Sequence, residues 1–151
     1  NTASSASSRR PALARHTPRL EGVIWFQGWN DGCDDQDAAQ YEQNLVLLIR
    51  DLRAELTDAT LPFVAGETGN IDNQVLRDAQ KNGCAQKDVA TGTRFVPTRQ
   101  FLRKPEDCPN TTHAHHWFGS GESYLLIGDA LGRAATELVE ARARPKPSQP
   151  R

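Results

Sequence analysis

Two short segments hold most of the residues that could do chemistry. The first, Gln27-Gly28-Trp29-Asn30-Asp31, follows directly on the apolar run Gly22-Val23-Ile24-Trp25-Phe26. Asn30 offers a side-chain amide, a donor able to hold a developing oxyanion in acyl transfer, and Gln27 offers the same chemistry from the strand end. Gly28 permits a tight turn or a close approach of backbone to ligand. Trp29 can form an apolar or stacking wall of the kind sugars require. Read without chemistry, the same stretch is a turn, with Trp25 and Trp29 in the core and Asp31 solvated.

The second segment, Thr112-His113-Ala114-His115-His116-Trp117-Phe118-Gly119, holds three of the four histidines of the chain. A histidine can serve as a general base because its unperturbed pKa lies near working pH. His113 and His115 point the same way if the segment is extended. A zinc site with Cys108 is conceivable, but no Cys-x-x-Cys or His-Glu-x-x-His spacing supports it. A plain polar loop is the remaining alternative. The aspartates Asp31, Asp34, Asp35 and Asp37 lack the ligand spacing and terminal Glu of a calcium loop, and suit a solvated loop and helix start better. Of the three cysteines, Cys33 and Cys108 lie near the two segments and could pair; buried or free thiols suit the sequence as well.

The elements that position these segments alternate along the chain. The run from Gly22 to Phe26 reads as a buried strand. From about Asp37 to Leu56, the residues Tyr41, Leu45, Leu48, Leu52 and Leu56 fall on one helical face, with Asp35 or Asp37 able to cap the start. Leu61 to Gly66 reads as a second strand, and Asn73 to Lys81 as a short helix closed by Asn82-Gly83. A weaker third strand lies within Asp88 to Val96. Ser120 caps a final helix to about Glu140, with Tyr124, Ile127, Leu131, Ala134 and Leu138 on one stripe. This alternation predicts an α/β domain with a largely parallel sheet. Ligands in such sheets sit beyond the carboxyl ends of the strands, where both segments fall.

Composition narrows the function. The 151 residues suit one domain, and nine prolines with eleven glycines imply many turns. Eighteen basic against 19 acidic residues leave a net charge of −1, so no basic field exists to hold nucleic acid. No apolar run approaches the roughly 18 residues of a membrane span. Residues 1–19 contain four arginines and no acid, have no apolar core of a secretory signal, and read as a disordered segment. Residues 143–151 read as a disordered basic tail, leaving 20–142 as the domain. Because the first residue is Asn1, the chain is expected to be a processed product or a fragment.

These residues resemble a known family. Leu20-Glu21-Gly22-Val23-Ile24-Trp25-Phe26-Gln27-Gly28-Trp29-Asn30-Asp31 is similar to the conserved block of the sialate O-acetylesterase-like carbohydrate esterases, a branch of the SGNH hydrolase superfamily. The run from His115 to Gly132 resembles that family's closing block, and the segments between agree in order and spacing. The resemblance covers about residues 20–140. It implies a flavodoxin-like three-layer α/β/α fold and a Ser-His hydrolase of acetylated carbohydrates with no metal and no cofactor. Asn30 takes the oxyanion role and His116 the place of the catalytic histidine. Gln27, Gly28, Trp29, Asp31 and His115 would line the substrate pocket.

Two departures stand out. The family's nucleophile lies in an N-terminal G-(D/Q)-S block that this chain does not contain, so the expectation is a C-terminal portion lacking the first strand-helix unit, inactive alone. His113 stands where the family carries an Asp, leaving the residue that orients His116 open, with Glu106 or Asp107 able to serve. The alternatives are a non-catalytic carbohydrate-binding remnant of the same fold and a zinc-binding module on His113, His115 and Cys108. Family analogy makes secretion or a periplasmic location an expectation. The sequence does not specify the sugar, the ester position or the oligomeric state.

Overall fold

The structure, a computed structural model, describes residues 17–68 and 71–144. Strand β1 (Val23–Trp25) leads through a 3-10 turn into helix α1 (Asp35–Glu55); β2 (Phe63–Gly66), α2 (Gln74–Ala85) and β3 (Thr93–Val96) follow. Three short 3-10 segments then precede α3 (Gly121–Ala143). The strands pair in parallel in the order β1-β2-β3, with Val23 opposite Phe63 and Phe63 opposite Thr93. Parallel neighbours need crossover connections, which α1 and α2 supply.

Alternation along β2 divides the core. Phe63 and Ala65 pack with Tyr41, Leu45 and Ile49 of α1 and Leu76 and Ala79 of α2. Val64 points to the other face, against Trp117 and Ile127, Leu131 and Ala134 of α3. Helices therefore cover both faces of a parallel sheet, in the flavodoxin-like three-layer arrangement expected. Among the described residues no helix is long and apolar enough to cross a membrane.

Several local expectations are corrected. Strand β1 is not buried throughout: Ile24 is 50% exposed, because β1 is an edge of the described sheet and α3 lies chiefly over β2 and β3. Helix α1 is capped by Asp34, whose carboxylate accepts from the backbone N–H of Gln36 at 2.8 Å and of Asp37 at 3.0 Å. Only Asp34 has the extended backbone (φ −130°, ψ 128°) that a cap requires. Helix α2 continues through Asn82-Gly83 to Ala85. Gly83 serves close packing instead: a Cβ there would lie 3.2 Å from Leu45 Cδ2 and 3.3 Å from the Glu42 carbonyl oxygen. Helix α3 runs to Ala143, past the expected end, and Arg142 in its last turn pairs with Asp58 at 2.7 Å. Residues 1–16 and 145–151, most of the two segments read as disordered, lie outside the described residues.

The stripe of α1 also differs from its apolar reading. Its buried residues are Ala38, Tyr41, Leu45, Ile49 and Arg53, while Leu56 is exposed. Arg53 donates to the carbonyls of Leu61 (3.2 and 3.0 Å), Val89 (3.0 Å) and Thr91 (2.9 Å) and to Thr93 Oγ1 (3.1 Å). It thereby ties α1 to the entries of β2 and β3. Arg53→Met keeps the stem but removes the donor to the Leu61 and Thr91 carbonyls. The expected loss of stability is about 3 kcal/mol, read as a lower urea midpoint at unchanged slope. A change within about 0.5 kcal/mol would show that the latch adds nothing.

Candidate active site

Beyond Trp25 the chain turns sharply at the carboxyl end of β1. Gly28 has φ +140°, a backbone conformation that side chains rarely allow. The Gln27 carbonyl accepts from Tyr41 Oη at 2.8 Å, from Gln80 Nε2 at 3.1 Å and from the Thr68 hydroxyl. Tyr41 Oη in turn accepts from the Trp25 indole at 3.2 Å, and Gln80 Oε1 accepts from the Thr68 backbone N–H at 3.1 Å. Burial pushes the Tyr41 phenol up, which keeps it a neutral donor. The turn closes with Gly32 N–H on the Gly28 carbonyl and Cys33 N–H on that of Asn30, both at 3.0 Å. Asn30 is exposed, and its side chain makes no capping bond.

The histidine segment is folded, not extended. Trp117 (φ 52°) and Phe118 (φ 53°) adopt left-handed backbone, followed by Gly119 (φ 69°). Trp117 is 2% exposed and stacks on Phe26 with ring centroids 6.4 Å apart. The Phe118 N–H donates to the His113 carbonyl, and the Phe118 carbonyl accepts from Asn110 N–H, both at 3.0 Å. Ser120 caps α3 as expected, accepting from Ser123 N–H at 3.1 Å. The folded loop gathers all three imidazoles: His115 lies 4.2 Å from His116 and 5.4 Å from His113, between centroids. His115 also faces the Trp29 ring at 5.6 Å.

The two segments meet across a cavity of about 310 Å³ at the carboxyl ends of the strands. Of the residues singled out by sequence, Gln27, Gly28, Trp29, Asn30 and His115 line it. Asp31 does not; its carboxylate accepts from Gln27 Nε2 at 2.7 Å. His116 stands beside His115, off the wall. Sequence reasoning missed Phe26, Thr68, Trp117 and Tyr124, which complete the lining. Tyr124 carried a signal, since it follows the histidine segment in the first turn of α3. A larger groove of about 470 Å³ between α1 and the α2–β3 loop, with Glu42, Arg50 and Asp88 on its walls, holds no imidazole.

Among the described residues, no group of three or more His, Cys, Asp or Glu side chains is placed to hold a metal ion. No carboxylate of the described residues hydrogen-bonds an imidazole; His113 Nδ1 instead lies 2.9 Å from Asn110 Nδ2. The three cysteines are free, and burial pushes the Cys84 thiol up to about 12, leaving it inert at neutral pH.

Partial desolvation, then the neighbouring His116 and His113, hold the His115 imidazole below its ordinary range. Between its folded pKa and that of the unfolded chain, the unfolded state binds more protons. Stability therefore rises with pH across that window and falls when acid charges the ring. The His115 ring protons, followed by NMR, are expected to titrate on the acid side of a free imidazole. Titration at or above the free value would remove the effect.

The ends of the parallel strands thus bring the Asn30 amide and the His115 imidazole to one cavity, the place where such sheets hold ligands. The chain belongs to the family described as carbohydrate esterase, sialic acid-specific acetylesterase, whose model matches residues 5–124. A probable carbohydrate esterase of Arabidopsis thaliana is 31% identical over 84 residues, which cover 53% of this chain and 32% of the relative. The match thus spans about a third of that curated relative's length. No solved structure matches the chain.

Proposed function

We propose that this protein is the imidazole- and amide-bearing part of a carbohydrate O-acetylesterase with a serine nucleophile, acting on O-acetylated sugars. The observation that carries the reading is the meeting of Asn30 and the histidine loop across one cavity at the strand ends. Family membership supports a carbohydrate esterase function, and the family description makes O-acetylated sialic acids the first substrates to try. In the proposed reaction, a serine hydroxyl attacks the acetyl carbonyl while His116 takes its proton. Asn30 donates to the tetrahedral oxyanion. The intermediate collapses, His116 returns the proton to the leaving sugar oxygen, and water then releases acetate by the same route. Trp29 gives the sugar an apolar wall.

Among the described residues no serine lines the cavity. Ser120 caps α3, and Ser123 Oγ donates to the Phe101 carbonyl at 2.8 Å. No G-(D/Q)-S sequence occurs in the 151 residues. The proposal therefore assigns the nucleophile to a segment carrying that block. The test joins such a segment to this chain and measures hydrolysis of an acetylated sugar. Saturable turnover is expected in the joined protein and none in the 151-residue chain. Asn30→Ala should lower kcat by about 10²–10³-fold. Turnover by the chain alone, blocked by a serine reagent, would place the nucleophile elsewhere. Sugar binding without turnover in the joined protein would favour a non-catalytic carbohydrate-binding role.

One observation favours a second assignment of the base: His115, not His116, lines the cavity and faces Trp29. Single alanine variants of the two separate these assignments.

A further inference from the structure

The least expected feature of the site is the Gln27 carbonyl. It takes three donors, Tyr41 Oη from α1, the Thr68 hydroxyl after β2 and Gln80 Nε2 from α2. Thr68 and Gln80 are buried, and Tyr41 and Gln80 are each held by a further hydrogen bond. A carbonyl held from three elements has its orientation set by the core, not by the turn.

The peptide that follows is trans, so its N–H points opposite to its carbonyl. The Gln27 carbonyl faces the clamp; the Gly28 N–H therefore faces away from it. Gly28 is buried and lines the cavity, and its N–H has no acceptor among the described residues. Buried, unpaired backbone donors are rare and call for a partner. The residue must also be glycine on two counts. Its φ is +140°, and a Cβ would lie 2.9 Å from Gln80 Nε2 and 3.3 Å from Tyr41 Cε2, inside the clamp itself.

We propose that the Gly28 N–H is a second fixed donor to the acyl oxygen of the bound ester, beside the Asn30 amide, and that Tyr41, Thr68 and Gln80 are its positioning residues. The inference rests on the esterase reading above and deepens it. A donor fixed before substrate arrives needs no reorganisation as charge develops on the oxygen, which is the condition for effective oxyanion stabilisation. Of the side chains that aim it, Tyr41 and Gln80 stand off the cavity wall, and Thr68 lines it.

The test uses the 151-residue chain, labelled with ¹⁵N and titrated with an O-acetylated methyl glycoside, its deacetylated form serving as control. The Gly28 amide proton is expected to move downfield and saturate together with the Asn30 side-chain amide, with the acetylated probe only. Tyr41→Phe and Thr68→Val each remove one clamp hydroxyl at nearly constant shape. Each is expected to weaken binding about threefold to tenfold and to diminish the Gly28 response while the Trp29 indole still responds. A Gly28 amide that stays still while Trp29 and Asn30 respond overturns the donor and leaves the esterase site standing. An unchanged Gly28 response in both clamp variants overturns the positioning role. Silence at Gly28, Trp29 and Asn30 together overturns the acyl site and this donor with it.

Discussion

His116→Ala is expected to lower kcat/KM on an acetylated sugar by about 10²–10⁴-fold, the usual contribution of a general base, in the chain joined to a serine-bearing G-(D/Q)-S segment. His113→Ala should lose far less. Its ring is engaged by Asn110. Only an unprotonated imidazole can accept the serine proton, so activity should increase with pH as that ring loses its proton. A chelator should have no effect. Measuring kcat/KM for the three single variants decides the assignment. Near-parental activity in His116→Ala, with a large loss in His115→Ala, would transfer the role to the residue that lines the cavity. A reversible loss on chelation would replace the serine mechanism with a metal one.

Trp117→Ala is expected to cost about 3–5 kcal/mol, the range for removing a large buried aromatic side chain. The argument is stronger here than at an ordinary core position. Trp117 and Phe118 both hold left-handed backbone, which disfavours a side-chain-bearing residue by about 1–2 kcal/mol each, and Trp117 lies within 2% of full burial. Packing of the indole against Phe26 and the α3 core sustains that strained loop. Its removal should release the loop and separate the His115 and His116 rings, now 4.2 Å apart between centroids. A urea titration reads the stability, and imidazole NMR reads the separation. Trp117→Phe should lose less of both. A loss below about 1 kcal/mol with the rings still adjacent would show that the backbone bonds between Asn110, His113 and Phe118 hold the loop without the indole.

Much of the fold was legible in the chain because it depends on near neighbours. Strand and helix positions follow from periodicity, and the Ser120 cap follows from a side chain that reaches three residues along the backbone. The choice of Asp34 over Asp35 or Asp37 was not legible. Three aspartates offer the same carboxylate, and only the backbone angle selects one. Gly83 was read as a helix stop because local sequence carries no mark of Leu45, the neighbour that needs the missing side chain.

The same division runs through the site. The sequence by itself determined which groups are available: an amide at Asn30, imidazoles at 113, 115 and 116, an indole at Trp29, and their place at the ends of strands in a parallel α/β order. Tertiary structure alone decided how they are presented. The Gln27 carbonyl is held by partners 14, 41 and 53 residues away, so no local pattern could announce the orientation of the Gly28 peptide. Likewise, burial of Trp117 bends the histidine segment into a left-handed turn that composition would leave extended. Side-chain chemistry is written residue by residue. Its direction in space is set by whichever distant donors and core surfaces the folded chain brings against the backbone.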